Sequence, residues 1–225
     1  QWSNLWSSRL PELLWNTLSL AVLVAIGSFT LGVSAAWWTA RRDFAGRRIA
    51  IWLMILPLTI PTYVFAHIYT TLLEEDGWVG QCLIALFDSA PPDIFNVGGV
   101  ALVLSLAGFS YVFLLVRTAL MCPSRSLEEA ARMQGANPWQ VFWRVNLPLL
   151  RPAIAAGLAL VVLHVLSDFG AVSMLRYQTF TLSIYMQMGG RFDYNAAAGL
   201  SLVLVLLSMT FLLIERAFRS RQRYY

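Results

Sequence analysis

From Leu13 to Ala40 the chain runs without one charged side chain, and this feature most restricts what it can fold into. An α-helix needs about 20 apolar residues to cross the hydrocarbon of a bilayer. Further charge-free runs occupy Ile49–Leu73, Ile94–Val116, Pro152–Ser167 and Tyr194–Ile214. The Pro152 run is short. It spans if Arg151 and Asp168 stand at the two interfaces, where an arginine stem can snorkel. Charged residues make up only 12% of the chain, against about 25% in a soluble domain. The expectation is an all-α membrane protein with five transmembrane helices in one domain, residues 1–225.

The net charge of +4 might point to nucleic acid, but the distribution of the basic residues points to the bilayer. All sixteen are arginine. With the segment before Leu13 outside, thirteen fall in inside segments, and only Arg9, Arg176 and Arg191 stay outside. That is the positive-inside pattern. It predicts a periplasmic N-terminus and a cytoplasmic C-terminus. The acids Glu74, Glu75, Asp76, Asp88 and Asp93 gather in one outside loop. The start at Gln1, with no Met or signal-like basic stretch, is expected of an excerpt from a longer polypeptide with an upstream helix. Cys82 and Cys122 fall on opposite sides of the membrane in this topology, so they form no disulfide framework.

Within the first run, Gly27, Ser28 and Gly32 are small enough to admit a neighbouring helix. Trp37 and Trp38 followed by Arg41 and Arg42 form an interfacial belt with cationic anchors. The second run contains Pro57 and Pro61, each of which removes an amide donor, so this helix is expected to kink or break. Such a break fits a gate or path lining, and equally an ordinary packed kink. The apolar piece at 78–87 is too short to span and is expected as a short interfacial or packed helix.

The longest polar stretch lies between the third and fourth spans. Ser126 precedes Glu129 by three residues, the capping-box spacing, which predicts a helix from Leu127 to about Gln134. Gly135 suits the left-handed position that ends a helix. Asn137 can cap the next one, with Pro138 at its first position and Gln140 completing a second capping box. Pro148 is expected to end this second helix and Pro152 to begin the fourth span.

Glu129, Ala130, Ala131, Gly135, Val145, Leu147 and Pro148 together resemble the EAA loop of binding-protein-dependent ABC importer permeases, in which E-A-A is followed by G and then I-x-L-P at fixed spacing. Val145 stands in the isoleucine place. The resemblance implies a five-helix permease core whose loop is a cytoplasmic coupling helix lying in a groove of an ABC ATPase subunit. It also implies partners: an ATPase dimer, a second permease half and a periplasmic substrate-binding protein, all in or at the bacterial inner membrane. ATP and Mg would be bound by the ATPase, with no cofactor in this chain and no role for nucleic acid. A solvated or DNA-reading helix-turn-helix is the alternative, but only Arg144 lies in the second helix.

Downstream, Asp168-Phe169-Gly170, Thr179-Phe180-Thr181, Ile184-Tyr185 and the C-terminal basic end are similar to the first half of fused ferric-iron permeases. That resemblance implies iron(III) as cargo and one half of a longer two-domain permease. Thiamine, polyamine, phosphonate and sulfate permeases share the loop and remain alternatives. Asp-Phe-Gly also occurs in protein kinases, but the chain has no lysine and no glycine-rich nucleotide loop, so that match is accidental. No Walker A sequence is present.

Ionisable residues inside spans are functional candidates by default. His67, His164 and Asp168 therefore join Pro57 and Pro61 as translocation-path candidates. Each histidine fits better as a neutral imidazole bonded to a neighbouring helix, and two His and one Asp on different helices make a weak metal site. Two other classes stay open: an intramembrane enzyme using Ser167 and His164, three apart on one helix, and an ATP-independent channel subunit.

Overall fold

The computed structural model describes residues 9–74, 76–87, 93–121, 131 and 133–221. Helix α1 covers Leu10–Arg41. It is followed by α2, Arg47–Ile55, a 3-10 turn, Leu56–Thr59, and α3, Thr62–Leu73. Then come the short α4, Trp78–Phe87, and α5, Val97–Met121. After the polar loop, α6 (Pro138–Val141) passes through a π-turn (Phe142–Asn146) into α7 (Leu147–Ser167). The short helices α8 (Gly170–Met174) and α9 (Phe180–Tyr185) precede α10, Tyr194–Arg221. Among the described residues four helices are long and apolar enough to cross a membrane, and α2 with α3 forms a fifth, broken element bent by 106°.

The core is built around α5. A helix apolar on all faces belongs inside, and 67% of the most apolar stretch of α5 is buried, against 11% for α10. Val100, Leu104, Val112, Phe113 and Val116 are fully enclosed. The small residues of α1 do admit a neighbour, and the neighbour is α5. A Cβ built on Gly32 would stand 2.7 Å from Val112 Cβ and 2.8 Å from the Phe109 carbonyl. Without a hydrophobic drive between helices in lipid, such close contact is the main source of association.

The two prolines break the second element, as expected. Residues 56–59 tighten to 3-10 winding, and the Ile60 N–H bonds to the Pro57 carbonyl at 3.3 Å. The donor three residues beyond Met54 would be Pro57, which has no N–H. The buried hydroxyl of Ser110 on α5 donates to the Met54 carbonyl instead, at 2.6 Å. Past the break, the Pro61 carbonyl accepts from the Val64 and Phe65 amides and starts α3.

The fourth span departs from expectation. Pro148 does not end the loop helix and Pro152 does not begin a new one: residues Trp139–Ser167 form one helix of 29 residues. The π-turn accounts for this. The Leu147 amide bonds to the Phe142 carbonyl, five residues back. That wider turn carries aside the carbonyls that the Pro148 ring would strike. The extra turns also remove the shortfall of the Pro152–Ser167 run.

Candidate functional site

The arginine-bearing ends of α1 and α5 gather with the start of α2 and with the turn after α6. Here the Arg47 side chain donates to the Thr39 carbonyl at 2.7 Å and pairs with Asp43. The polar loop is seated on the same end. Arg41 lies over the Trp37 ring at 5.2 Å, and Trp37 meets Phe142 edge-on at 5.0 Å.

The loop's turn has the expected chemistry. Gly135 has φ of +84°, the left-handed region that a β-carbon disfavours. The Ala136 amide bonds to the Ala131 carbonyl at 3.1 Å, the closing bond of a Schellman turn. Asn137 and Gln140 then cap reciprocally. The Gln140 N–H donates to Asn137 Oδ1 at 2.8 Å, and the Asn137 N–H donates to Gln140 Oε1 at 3.1 Å. Glu129 and Ala130, with the expected cap at Ser126, lie outside the described residues. Val145, Leu147 and Pro148 are half-buried, and Leu147 packs on the main core.

The loop also carries a surface that the spacing argument passed over. Met133 is 88% exposed, Trp139 69% and Trp143 50%. Trp139 and Trp143 are four apart on one helix, with ring centroids 5.7 Å apart. That i, i+4 spacing was available in the sequence as a sign of one shared face.

At the far end of α7, Asp168 organises a second polar unit. Its carboxylate is buried and accepts from the Ala171 and Val172 amides at 3.0 and 3.4 Å, so it caps α8. Its carbonyl accepts from the Thr181 hydroxyl at 2.7 Å, and the Thr179 and Thr181 hydroxyls lie 3.0 Å apart. The Asp-Phe-Gly and Thr-Phe-Thr stretches are therefore one hydrogen-bonded unit. Gly170 rests on the first turn of α3. A Cβ there would come within 2.6 Å of Thr62 Oγ1 and 2.9 Å of the Tyr63 nitrogen.

This contact brings Asp168 and Pro61 to one region. Pro57 is half-buried in the 3-10 turn and His67 is exposed on α3. His164 is half-buried, its ring 5.7 Å from that of Tyr111. Among the described residues no three His, Cys, Asp or Glu side chains stand together as metal ligands. The Ser167 hydroxyl bonds to the His164 carbonyl at 3.1 Å, not to its imidazole, so the pair does not form a nucleophile and base.

Membrane-crossing helices around one buried helix, with a capped polar turn presented at the arginine-rich end, define a multi-pass membrane protein. The chain belongs to the family of binding-protein-dependent transport system inner membrane components, whose family model matches residues 28–224. It is thus a non-catalytic membrane subunit of that class of ABC importer. It is 35% identical to the Fe(3+)-transport system permease protein FbpB 2 of Haemophilus influenzae over 98% of its own length and 40% of the relative's. Identity to the sulfate transport system permease protein CysW of Synechocystis sp. is 32%, over 92% of this chain and 77% of that one. The fold matches a chain of a bacterial alginate ABC transporter with a TM-score of 0.79 at 19% identity, covering 96% of this chain and 80% of the other.

Proposed function

We propose that the chain forms half of the path of an ATP-driven importer of iron(III), within a longer permease. The observation that carries the cargo is the 35% identity, across 98% of the chain, to a Fe(3+)-transport permease. Among the described residues no cluster of carboxylates or histidines could hold a hard cation, which would want several oxygen ligands; in this reading selectivity rests with a periplasmic binding protein. That protein would meet the end of the bundle holding Asp76, Asp168 and Asp193. The N-terminal end of α1 faces the periplasm and the C-terminus the cytoplasm, on the thirteen-to-three arginine asymmetry.

The loop at 126–148 docks an ATPase dimer that binds ATP and Mg. Glu129, Ala130, Ala131, Gly135, Val145, Leu147 and Pro148 shape the docking turn, and the exposed Met133, Trp139 and Trp143 supply its apolar contact. Five membrane elements are too few to enclose a path alone, so a second half faces this one. Pro57, Pro61, His67, His164 and Asp168 are the path candidates on this side.

Deletion of the full-length gene should abolish uptake of labelled ferric iron, and restoring it should return uptake. Normal iron uptake with loss of another cargo would refute the iron assignment and leave the permease reading standing. Sulfate is the second reading, supported by the 32% identity to a sulfate permease; thiamine, polyamine and phosphonate are the remaining arms of the assay.

A further inference from the structure

Opposite the arginine-rich end, a cavity of about 390 Å³ opens between the start of α1, residues 178–191 and α10. Its polar wall is formed by Arg9, Glu12, Gln178, Ser183, Gln187 and Arg191. No ion pair joins its three charged side chains among the described residues. Gln187 is only 5% exposed. Its carbonyl accepts from the Asp193 amide at 3.0 Å, but its side-chain amide has no hydrogen-bond partner among the described residues. That amide lines the cavity, where a group that enters can hydrogen-bond to it.

The level of the cavity narrows the choice of ligand. Trp15 is 74% exposed one turn into α1, and Phe192 and Tyr194 are 71% and 61% exposed at the start of α10. Exposed aromatic side chains at the ends of apolar helices mark the interface where lipid headgroups stand. The rest of the wall, Leu13, Met186 and Leu200, suits the glycerol and first methylenes of a lipid. Two guanidiniums match a phosphate, and guanidinium–phosphate bonds are among the stronger ones. Glu12 then matches an ammonium.

We propose that this cavity holds the headgroup of a zwitterionic phospholipid, with its phosphate between Arg9 and Arg191 and its ammonium at Glu12. Ser183 and the amides of Gln178 and Gln187 donate to the remaining phosphate oxygens. The bound lipid would brace the start of α1 against α10.

The full-length transporter, purified in detergent, tests this by native mass spectrometry with added phosphatidylethanolamine, phosphatidylglycerol or inorganic phosphate. The wild type should keep phosphatidylethanolamine through detergent exchange. Arg9→Gln with Arg191→Gln should lower its retention about tenfold or more, and Glu12→Gln should shift preference toward phosphatidylglycerol. Arg191→Gln alone, at an exposed position, gives the same reading with a smaller drop should the double variant fail to assemble. Equal retention by the variants would overturn the proposal. So would inorganic phosphate that fills the site in place of lipid, or loss of binding-protein association with lipid retention unchanged.

Discussion

The Ser110 hydroxyl on α5 lies 2.6 Å from the Met54 carbonyl at the break of the second membrane element. It supplies the hydrogen bond that Pro57 cannot. Ser110→Ala should therefore cost about 1 kcal/mol, lowering the melting temperature of the purified transporter by about 2–4 °C. Thermal unfolding followed by circular dichroism is the measurement. An unchanged midpoint would mean that water or another donor takes the carbonyl.

Asp168 offers a test of cap against charge. Its carboxylate accepts two amides of α8, and an asparagine oxygen can do the same. Asp168→Asn should retain most transport, whereas Asp168→Ala should lose about 1 kcal/mol of stability and most transport. Equal loss in both variants would make the negative charge itself the requirement and place Asp168 on the path.

Gly135 has open space around its missing Cβ and φ of +84°, so substitution there is resisted by conformation alone. Gly135→Val should cost on the order of 1 kcal/mol or more and redirect α6. Membrane insertion should persist while transport and ATPase retention fall together. Gly135→Asn, which tolerates the left-handed region, should restore both. A valine variant that transports normally and holds its ATPase would count against the docking role.

Topology is open to cysteine labelling in intact cells. After Cys82 and Cys122 are replaced, cysteines at Asp76 and Gly190 should react with an impermeant reagent, and those at Arg47 and Arg125 should not. Cys82 is exposed and would otherwise react. Labelling at position 125 from the periplasm would reverse the orientation.

Much of this architecture could be foreseen because lipid leaves so few options. The charge-free runs located the membrane elements, Trp78–Phe87 emerged as its own short helix, and the Asn137–Gln140 box formed as its spacing required. What escaped sequence reasoning depends on tertiary contacts. Nothing local announces that Ser110 will serve Met54, or that Asp168 and Thr181, thirteen residues apart, share a bond. The passage of a helix through Pro148 depends on a π-turn that no propensity marks. Trp139 and Trp143 had the right spacing, but whether they face the core or the outside was settled only by Phe142 turning onto Trp37.

The unbroken helix from Trp139 to Ser167 has a mechanical consequence. At about 1.5 Å per residue it is a rod roughly 43 Å long, with Trp139 at one tip and the Asp168 cap just beyond the other. The π-turn at Phe142–Asn146 and the prolines Pro148 and Pro152 all lie in the Trp139 half of the rod. A tilt imposed on the helix beyond these points is carried along it to Asp168, and through Gly170 to the first turn of α3. The polar turn and the broken membrane element thus sit at the two ends of one lever.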